Sequence, residues 1–284
     1  MSNKKDSLGD RLEKITAFSD EQLQVLCGAL LGDGSLIMHK HCTNAIFQYS
    51  SKSRQHVEFV ALNFSDFLTD KGVYDCSSFD KRTEKVYYRS VAKTHVHPLF
   101  TEMHKMWYKD GKKHIPEDLI LTPLICLIWY IGDGAICNNK RTQNIKLATQ
   151  CFQKEELENI LLPQLKNFEA TLMKADVSKS GEQQYSIYIP KRKIKEFLDY
   201  IGPCPFPDYE YKWAYKEYKN FTLSKHPGFI RDLTNYFNMG MSSNTIAKLL
   251  NVDRTTVVKY LTLNEMNYKD NLFNKVKVGE KNEK

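Results

Sequence analysis

The sequence lacks most of the features that would place it in a specialised class. It has seven cysteines, an odd number, and no C-x-x-C pair. A disulfide framework and a zinc ribbon are both unsupported, so a reducing compartment is expected. No apolar run reaches membrane-spanning length, and the richest, Leu119–Ile131, is interrupted by Thr122 and Pro123. The opening MSNKKDSLGDRLEK has no apolar signal core, and its Asp6, Asp10 and Glu13 argue against a transit peptide. A cytoplasmic setting in a bacterial or phage-infected cell is expected, with an organelle as the alternative. What is present is globular in character: 284 residues, 42% of them hydrophobic, enough for one large domain or a few small ones. A net charge of +7 suits a polyanionic partner without demanding one.

One short pattern occurs twice. Leu30–Leu36 reads LLGDGSL and Tyr130–Ile136 reads YIGDGAI. In the first copy Asp20–Leu31 patterns as a helix, with Ser19 or Asp20 as its cap. Gly32-Asp-Gly34 should end it, glycine suiting either a left-handed or a close-approach position. A strand over Asn44–Ser50 follows, then a helix over Gln55–Leu68. A two-stranded ribbon spans Val73–Phe79 and Lys85–Val91, and a short helix covers His97–Tyr108. The second copy repeats the order. A helix runs from Pro123 to Ile131 and stops at Gly132, and a strand covers Asn144–Thr149. A helix over Lys154–Phe168, a ribbon (Thr171–Val177, Gln184–Ile189) and a helix over Lys193–Ile201 complete it. Lys113 lies 80 residues after Asp33, and Lys212 lies 79 after Asp133. An internal duplication of αββαββ units accounts for this spacing.

Beyond Pro205 the character changes. Phe229–Met239 reads as a helix, and Ser242–Leu261 has a helix-turn-helix pattern. Ala247 sits at the close crossing, Asn251 at the turn's left-handed position, and Asp253 caps the second helix. That helix would present Arg254, Thr255, Thr256 and Lys259 to DNA. The expected organisation is an N-terminal extension (1–18), two halves (19–118 and 119–222) and a linker (223–228), followed by a helix-turn-helix domain (229–268) and a basic tail (269–284).

An aspartate at the carbonyl end of a helix is electrostatically disfavoured. Two such acids imply a compensating cation, and carboxylate with nearby backbone oxygen is hard-ligand chemistry suited to Mg²⁺. The helices before Asp33 and Asp133 are mostly apolar. Packed side by side, they would bring the two acids together at one end.

The paired motifs Leu26-Cys-Gly-Ala-Leu-Leu-Gly-Asp-Gly34 and Cys126-Leu-Ile-Trp-Tyr-Ile-Gly-Asp-Gly134 resemble those of the LAGLIDADG homing endonucleases in their monomeric, double-motif form. Lys112-Lys-His-Ile-Pro116 and Tyr211-Lys212 resemble the branch that includes intron-encoded yeast mitochondrial members. The resemblance implies an α+β fold, a pseudo-twofold αββαββα duplication whose two antiparallel sheets form a saddle on double-stranded DNA. It also implies Mg²⁺-dependent cleavage with short 3′ overhangs. By the same resemblance Asp33 and Asp133 would bind two or three metal ions, with Gly32 and Gly132 lending main-chain oxygens. Lys113 and Lys212 would be the basic residues of the two catalytic pockets, and Gln150 a residue that orders catalytic water. The motif's small packing residue is Gly28 in one copy but Ile128 in the other, so a looser or asymmetric helix crossing is expected.

Arg82, Lys85, Tyr87, Arg89, Arg141, Lys146, Lys174 and Lys179 lie on or near the proposed strands and are candidates for DNA contact. Two rival readings use the same scaffold. Bacterial sporulation regulators of the WhiA type join a LAGLIDADG-like domain to a helix-turn-helix without cleavage. Intron maturases bind host intron RNA.

Overall fold

The computed structural model describes residues 12–139, 142–178, 181–215, 223 and 226–266. Arg141, Lys179 and the tail 269–284 lie outside the described residues. The chain divides into two compact units, one ending at Lys216 and the other beginning at Glu217. No helix among the described residues is long and apolar enough to cross a membrane.

The first unit contains the duplication. Ser19 opens α1 (Asp20–Leu31) through a reciprocal capping box with Gln22. Then follow β1 (Ser35–Ile37), β2 (Ile46–Ser51), α2 (Arg54–Asn63), β3 (Leu68–Asp80), β4 (Lys85–Thr94) and α3 (Pro98–Trp107). A small hairpin, β5 (Tyr108–Lys109) and β6 (Lys112–Lys113), ends this half. The second half has α4 (Pro123–Asp133), β7 (Gly134–Asn139), β8 (Thr142–Ala148), a helical course α5 over 154–164, β9 (Thr171–Val177), β10 (Gln183–Pro190) and α6 (Ile194–Ile201). The sheets have matching antiparallel orders, β1-β2-β4-β3 and β7-β8-β10-β9. This is the duplicated αββαββα, α+β fold.

The core forms around α1 and α4, whose side chains from Val25 to Leu31 and from Ile125 to Ile131 are almost all buried. Their crossing is asymmetric, and it is tight. A Cβ on Gly28 would fall 2.8 Å from the Ile125 carbonyl oxygen and 2.8 Å from Ile128 Cβ. The bulk of one helix occupies the space left by the other, which corrects the expectation of a looser contact. Gly28→Ala should therefore cost about 1–3 kcal/mol, because the obstruction includes backbone. Chemical denaturation would show this as a lower midpoint with an unchanged slope; an unchanged midpoint would contradict so close a crossing.

Several local expectations need correction. Helix α4 runs two residues past the expected Ile131, through Asp133 to a cap at Gly134, whereas α1 stops at Leu31. Neither cap residue is left-handed (φ −113° at Gly32, −90° at Gly134). Close approach is the reason for glycine here: a Cβ on Gly134 would lie 2.5 Å from Tyr130 O. The helix expected over 154–168 contains a π turn at Leu157–Leu161 and ends in a 3₁₀ turn, Lys166–Phe168. Pro163 has no amide hydrogen to give to the preceding turn, which breaks the regular ladder. Strands β1 and β7 start within two residues of the motif acids, where the Gly-Asp-Gly signal reads as a turn.

In the second unit, α7 (Phe229–Asn238), α8 (Ser243–Leu249) and α9 (Arg254–Leu263) enclose Phe229, Leu233, Phe237, Ile246, Ala247, Val257 and Leu261. Asn251 adopts φ +51° at the turn between α8 and α9. Asp253 occupies the cap position of α9, but its side chain makes no capping bond. Backbone closes the turn instead, Val252 N donating to Ala247 O at 3.0 Å. Arg254, Thr255 and Lys259 are exposed and Thr256 is half-buried.

Candidate active site

The C-terminal ends of α1 and α4 meet. The Cβ position of Gly132 lies 3.5 Å from both the amide nitrogen and Oδ2 of Asp33, and that of Gly32 lies 3.8 Å from Asp133 N. A lysine caps each helix end. Lys113 Nζ donates to Leu30 O (2.7 Å), Gly34 O (2.9 Å) and, at longer range, Gly32 O (3.4 Å). Lys212 Nζ donates to Ile131 O (2.5 Å), Tyr130 O (3.3 Å) and Gly132 O (3.4 Å). Part of the positive charge that two aspartates at carbonyl ends require is therefore supplied by the chain itself.

The two halves place their lysines by different means. Lys113 sits on β6, after an Asp110-Gly111 turn whose residues have φ +50° and +73°. That pair of positive angles is the type I′ hairpin signature, and Asp-Gly is the sequence signal that could have revealed the hairpin. Lys212 ends a 3₁₀ helix, Pro207–Lys212, and only 5% of it is exposed. The Tyr209 ring lies 5.2 Å from its ammonium, and Tyr130 Oη donates to its carbonyl at 2.5 Å.

Burial dominates the electrostatics. It raises the Asp133 carboxyl to about 6, with Asp33 adding repulsion and the two lysines opposing it. Asp33 is raised for the same first reason. Burial lowers Lys212 to about 8 against the pull of both acids, and Lys113 is lowered likewise. Four charges thus share one poorly solvated site. Among the described residues no group of three or more His, Cys, Asp or Glu has metal-holding geometry. The available donors are two carboxylates and the Gly32 and Gly132 carbonyls, a hard oxygen set that could hold a divalent ion whose shell is completed from outside the protein.

Beside the acids opens a groove of about 880 Å³ lined by Asp33, Ser50, Lys52, Arg89, Tyr211 and Lys212 among others. Strand register sorts the DNA candidates by face. Phe47, Tyr49 and Ala92 point into the core, so their alternates Gln48, Ser50 and Lys93 lie on the opposite face of the sheet. Lys85, Tyr87 and Arg89 share that face. Lys93 was missed, although its period-two spacing from Arg89 could have shown it. Arg82 lies in the ribbon's turn, paired with Asp80 at 3.7 Å. In the second sheet Leu147 and Ile187 point inward, which places Lys146 with Tyr188 on the outer face. Lys174 pairs with Tyr185, on the same face of the sheet as Ile187, and its side chain is exposed. The register shift between Gln183 and Tyr185 hides this in sequence. Gln150 follows β8, and its carbonyl accepts from Gln184 Nε2 at 3.1 Å. The matching pairs Ser35–Gln48 and Ala135–Lys146 make Lys52 its first-half counterpart.

A family profile described as LAGLIDADG DNA endonuclease matches residues 23–197, more than half of the chain. The chain belongs to this LAGLIDADG family. It is 27% identical over 228 residues to a probable intron-encoded endonuclease of Wickerhamomyces canadensis, covering 74% of this chain and 95% of that one. It is also 27% identical to the cytochrome b mRNA maturase bI2 of Debaryomyces hansenii, over 68% of this chain and 73% of that protein. Among solved structures, the homing endonuclease I-WcaI bound to its DNA recognition sequence has the same fold. It aligns at TM-score 0.65 and 22% identity, covering 76% of this chain and 96% of that one.

Proposed function

We propose that the protein is a site-specific DNA endonuclease that makes divalent-metal-dependent double-strand breaks at a long, asymmetric site. One observation carries this reading: the two aspartates and two lysines converge where α1 and α4 meet. A duplex offers two nearly symmetric phosphates, and a duplicated protein offers one acid and one lysine to each. Lys113 and Lys212 steady the negative charge that develops on the phosphoryl oxygens. Asp33, Asp133 and the Gly32 and Gly132 carbonyls hold the metal, taken to be Mg²⁺, and Gln150 orders water. When bound, the metal supplies Lewis-acid polarisation and activation of that water.

Lys85, Tyr87, Arg89, Lys93 and Lys146 contact bases or phosphates from the sheets, and Arg254, Thr255, Thr256 and Lys259 add a second contact. Both acids lie in one chain, so a monomer suffices, and short 3′ overhangs are the expected ends. The cell compartment is taken as cytoplasmic. The retained acids and lysines favour this reading over that of a non-cleaving regulator. The likeness to an mRNA maturase favours intron RNA binding as a second activity of the same chain.

A randomised DNA library incubated with protein, with and without Mg²⁺, should yield double-strand ends at one sequence only when the metal is added. Specific retention of DNA with no metal-dependent ends would overturn the reading in favour of a regulator, and selective retention of intron RNA alone would favour a maturase.

A further inference from the structure

Each candidate catalytic lysine is attached to the opposite half of the protein. Lys113 belongs to the first half and caps its α1. The next residue, His114, donates from Nδ1 to Oε1 of Glu156 at 2.7 Å, and Ile115 N donates to the same oxygen at 3.3 Å. Glu156 belongs to the second half, in the first turn of α5, where its Oε2 accepts from Gln153 N at 3.1 Å. His114 and Glu156 are both largely buried, with 22% and 17% of their side chains exposed. The imidazole faces the carboxylate through Nδ1, so that nitrogen carries the proton.

The other lysine mirrors this with different residues. Lys212 belongs to the second half and caps α4. Just before it, Tyr209 and the buried Ser51 share a hydroxyl hydrogen bond of 2.7 Å, and Asp208 Oδ2 accepts from Ser53 Oγ at 2.8 Å. Ser51 and Ser53 belong to the first half, at the end of β2 and the cap of α2. The two attachments occupy corresponding places: Ser53 caps α2, and Glu156 closes the capping turn of α5.

We infer that Glu156, acting through His114, and Ser51 with Ser53, acting through Tyr209 and Asp208, are positioning residues that fix the two lysines from across the pseudo-twofold. The inference rests on the endonuclease reading for its effect on cleavage, but its geometric content does not. A lysine ammonium held against three carbonyls by a two-residue hairpin needs its chain fixed on both sides. Tyr108 Oη, accepting from Leu36 N at 3.3 Å, fixes one side, and Glu156 fixes the other. Without the second attachment Lys113 drifts from its own acid while Lys212 is undisturbed. Misplacement of about 1 Å is enough to slow a chemical step by roughly 100-fold.

The test uses the full-length protein, its DNA site carrying a different dye on each strand, and three variants. His114→Ala removes the shorter of the two hydrogen bonds of the first attachment without touching the α5 cap, and Glu156→Ala removes both. Tyr209→Phe removes the hydroxyl from the second attachment but keeps the ring beside Lys212. The expected result is selective nicking. His114→Ala and Glu156→Ala slow one strand by roughly 10- to 100-fold and leave the other near wild type. Tyr209→Phe slows the opposite strand. In parallel, acetic anhydride labelling read by mass spectrometry should find Lys113, and not Lys212, more reactive in the first two variants. Equal slowing of both strands, or unchanged labelling of Lys113 in folded Glu156→Ala protein, overturns the inference. If wild-type protein cuts no DNA, the endonuclease reading fails on its own and the labelling alone decides the attachment.

Discussion

Asp133→Asn should lose at least about 1,000-fold in DNA cleavage and yet melt at a higher temperature than wild type in metal-free buffer. The loss follows from removing one of the two carboxylates proposed to hold the metal. The gain follows from the carboxyl's shift to about 6, driven first by burial and then by Asp33. A folded-state value above the unfolded one gives stability that is fully present below the unfolded value, near 3.8, and lost as pH rises through about 6. At neutral pH the ionised acid is therefore a net cost, and a neutral amide removes it. After allowance for partial solvation the gain should be about 1 kcal/mol, or roughly 2–4 °C. Melting at two pH values is the decisive check. The gain should be present at pH 7.5 and shrink at pH 5, where the wild-type acid is itself protonated. An equal gain at both pH values, or a lower melting temperature throughout, would sink this account.

Lys212→Met should cost activity. The ammonium serves three carbonyls at the end of α4, the shortest contact being to Ile131 O. Cleavage should be slowed by about 100-fold or more. Raising the pH should reproduce the loss of function reversibly. Burial lowers the Lys212 ammonium to about 8, so the charged form disappears above that value. The pH profile of kcat/KM, which reports the free enzyme, should rise through about 6 with Asp133 and fall above about 8 with Lys212. Metal binding competes with the proton on Asp133, so added metal moves the rising limb to lower pH. A profile flat from pH 7 to 10 would show that Lys212 does not act as a cation in the reaction.

The acids and lysines were legible because duplication wrote them twice: the Gly-Asp-Gly copies and the near-equal lysine spacings needed no knowledge of packing. Helices α1, α3 and α4 were readable from apolar periodicity and caps. The unread parts each have a physical cause. Strands β1 and β7 begin almost at the motif, where the Gly-Asp-Gly signal reads as a turn. The π turn in α5 depends on how Pro163 is accommodated, which composition does not report. The faces of Lys174 and Lys146 depend on register, and a single strand does not contain its own register. The attachments of His114 to Glu156 and of Ser53 to Asp208 join residues 42 and 155 positions apart, and no local pattern encodes such pairs.

Gly28 and Ile128 also determine which halves can combine. Two copies of the first half would set glycine against glycine and leave a void. Two copies of the second would force isoleucine into space where Ile128 Cβ and a Gly28 Cβ would already be 2.8 Å apart. Only unlike halves fit, so the crossing discriminates against like pairs by sterics alone. Separated at the Pro116–Thr122 connection and mixed, the two pieces should assemble as a one-to-one heterodimer. The asymmetric DNA site expected of this chain would then have its origin in the protein's own interior, at a contact that no base ever touches.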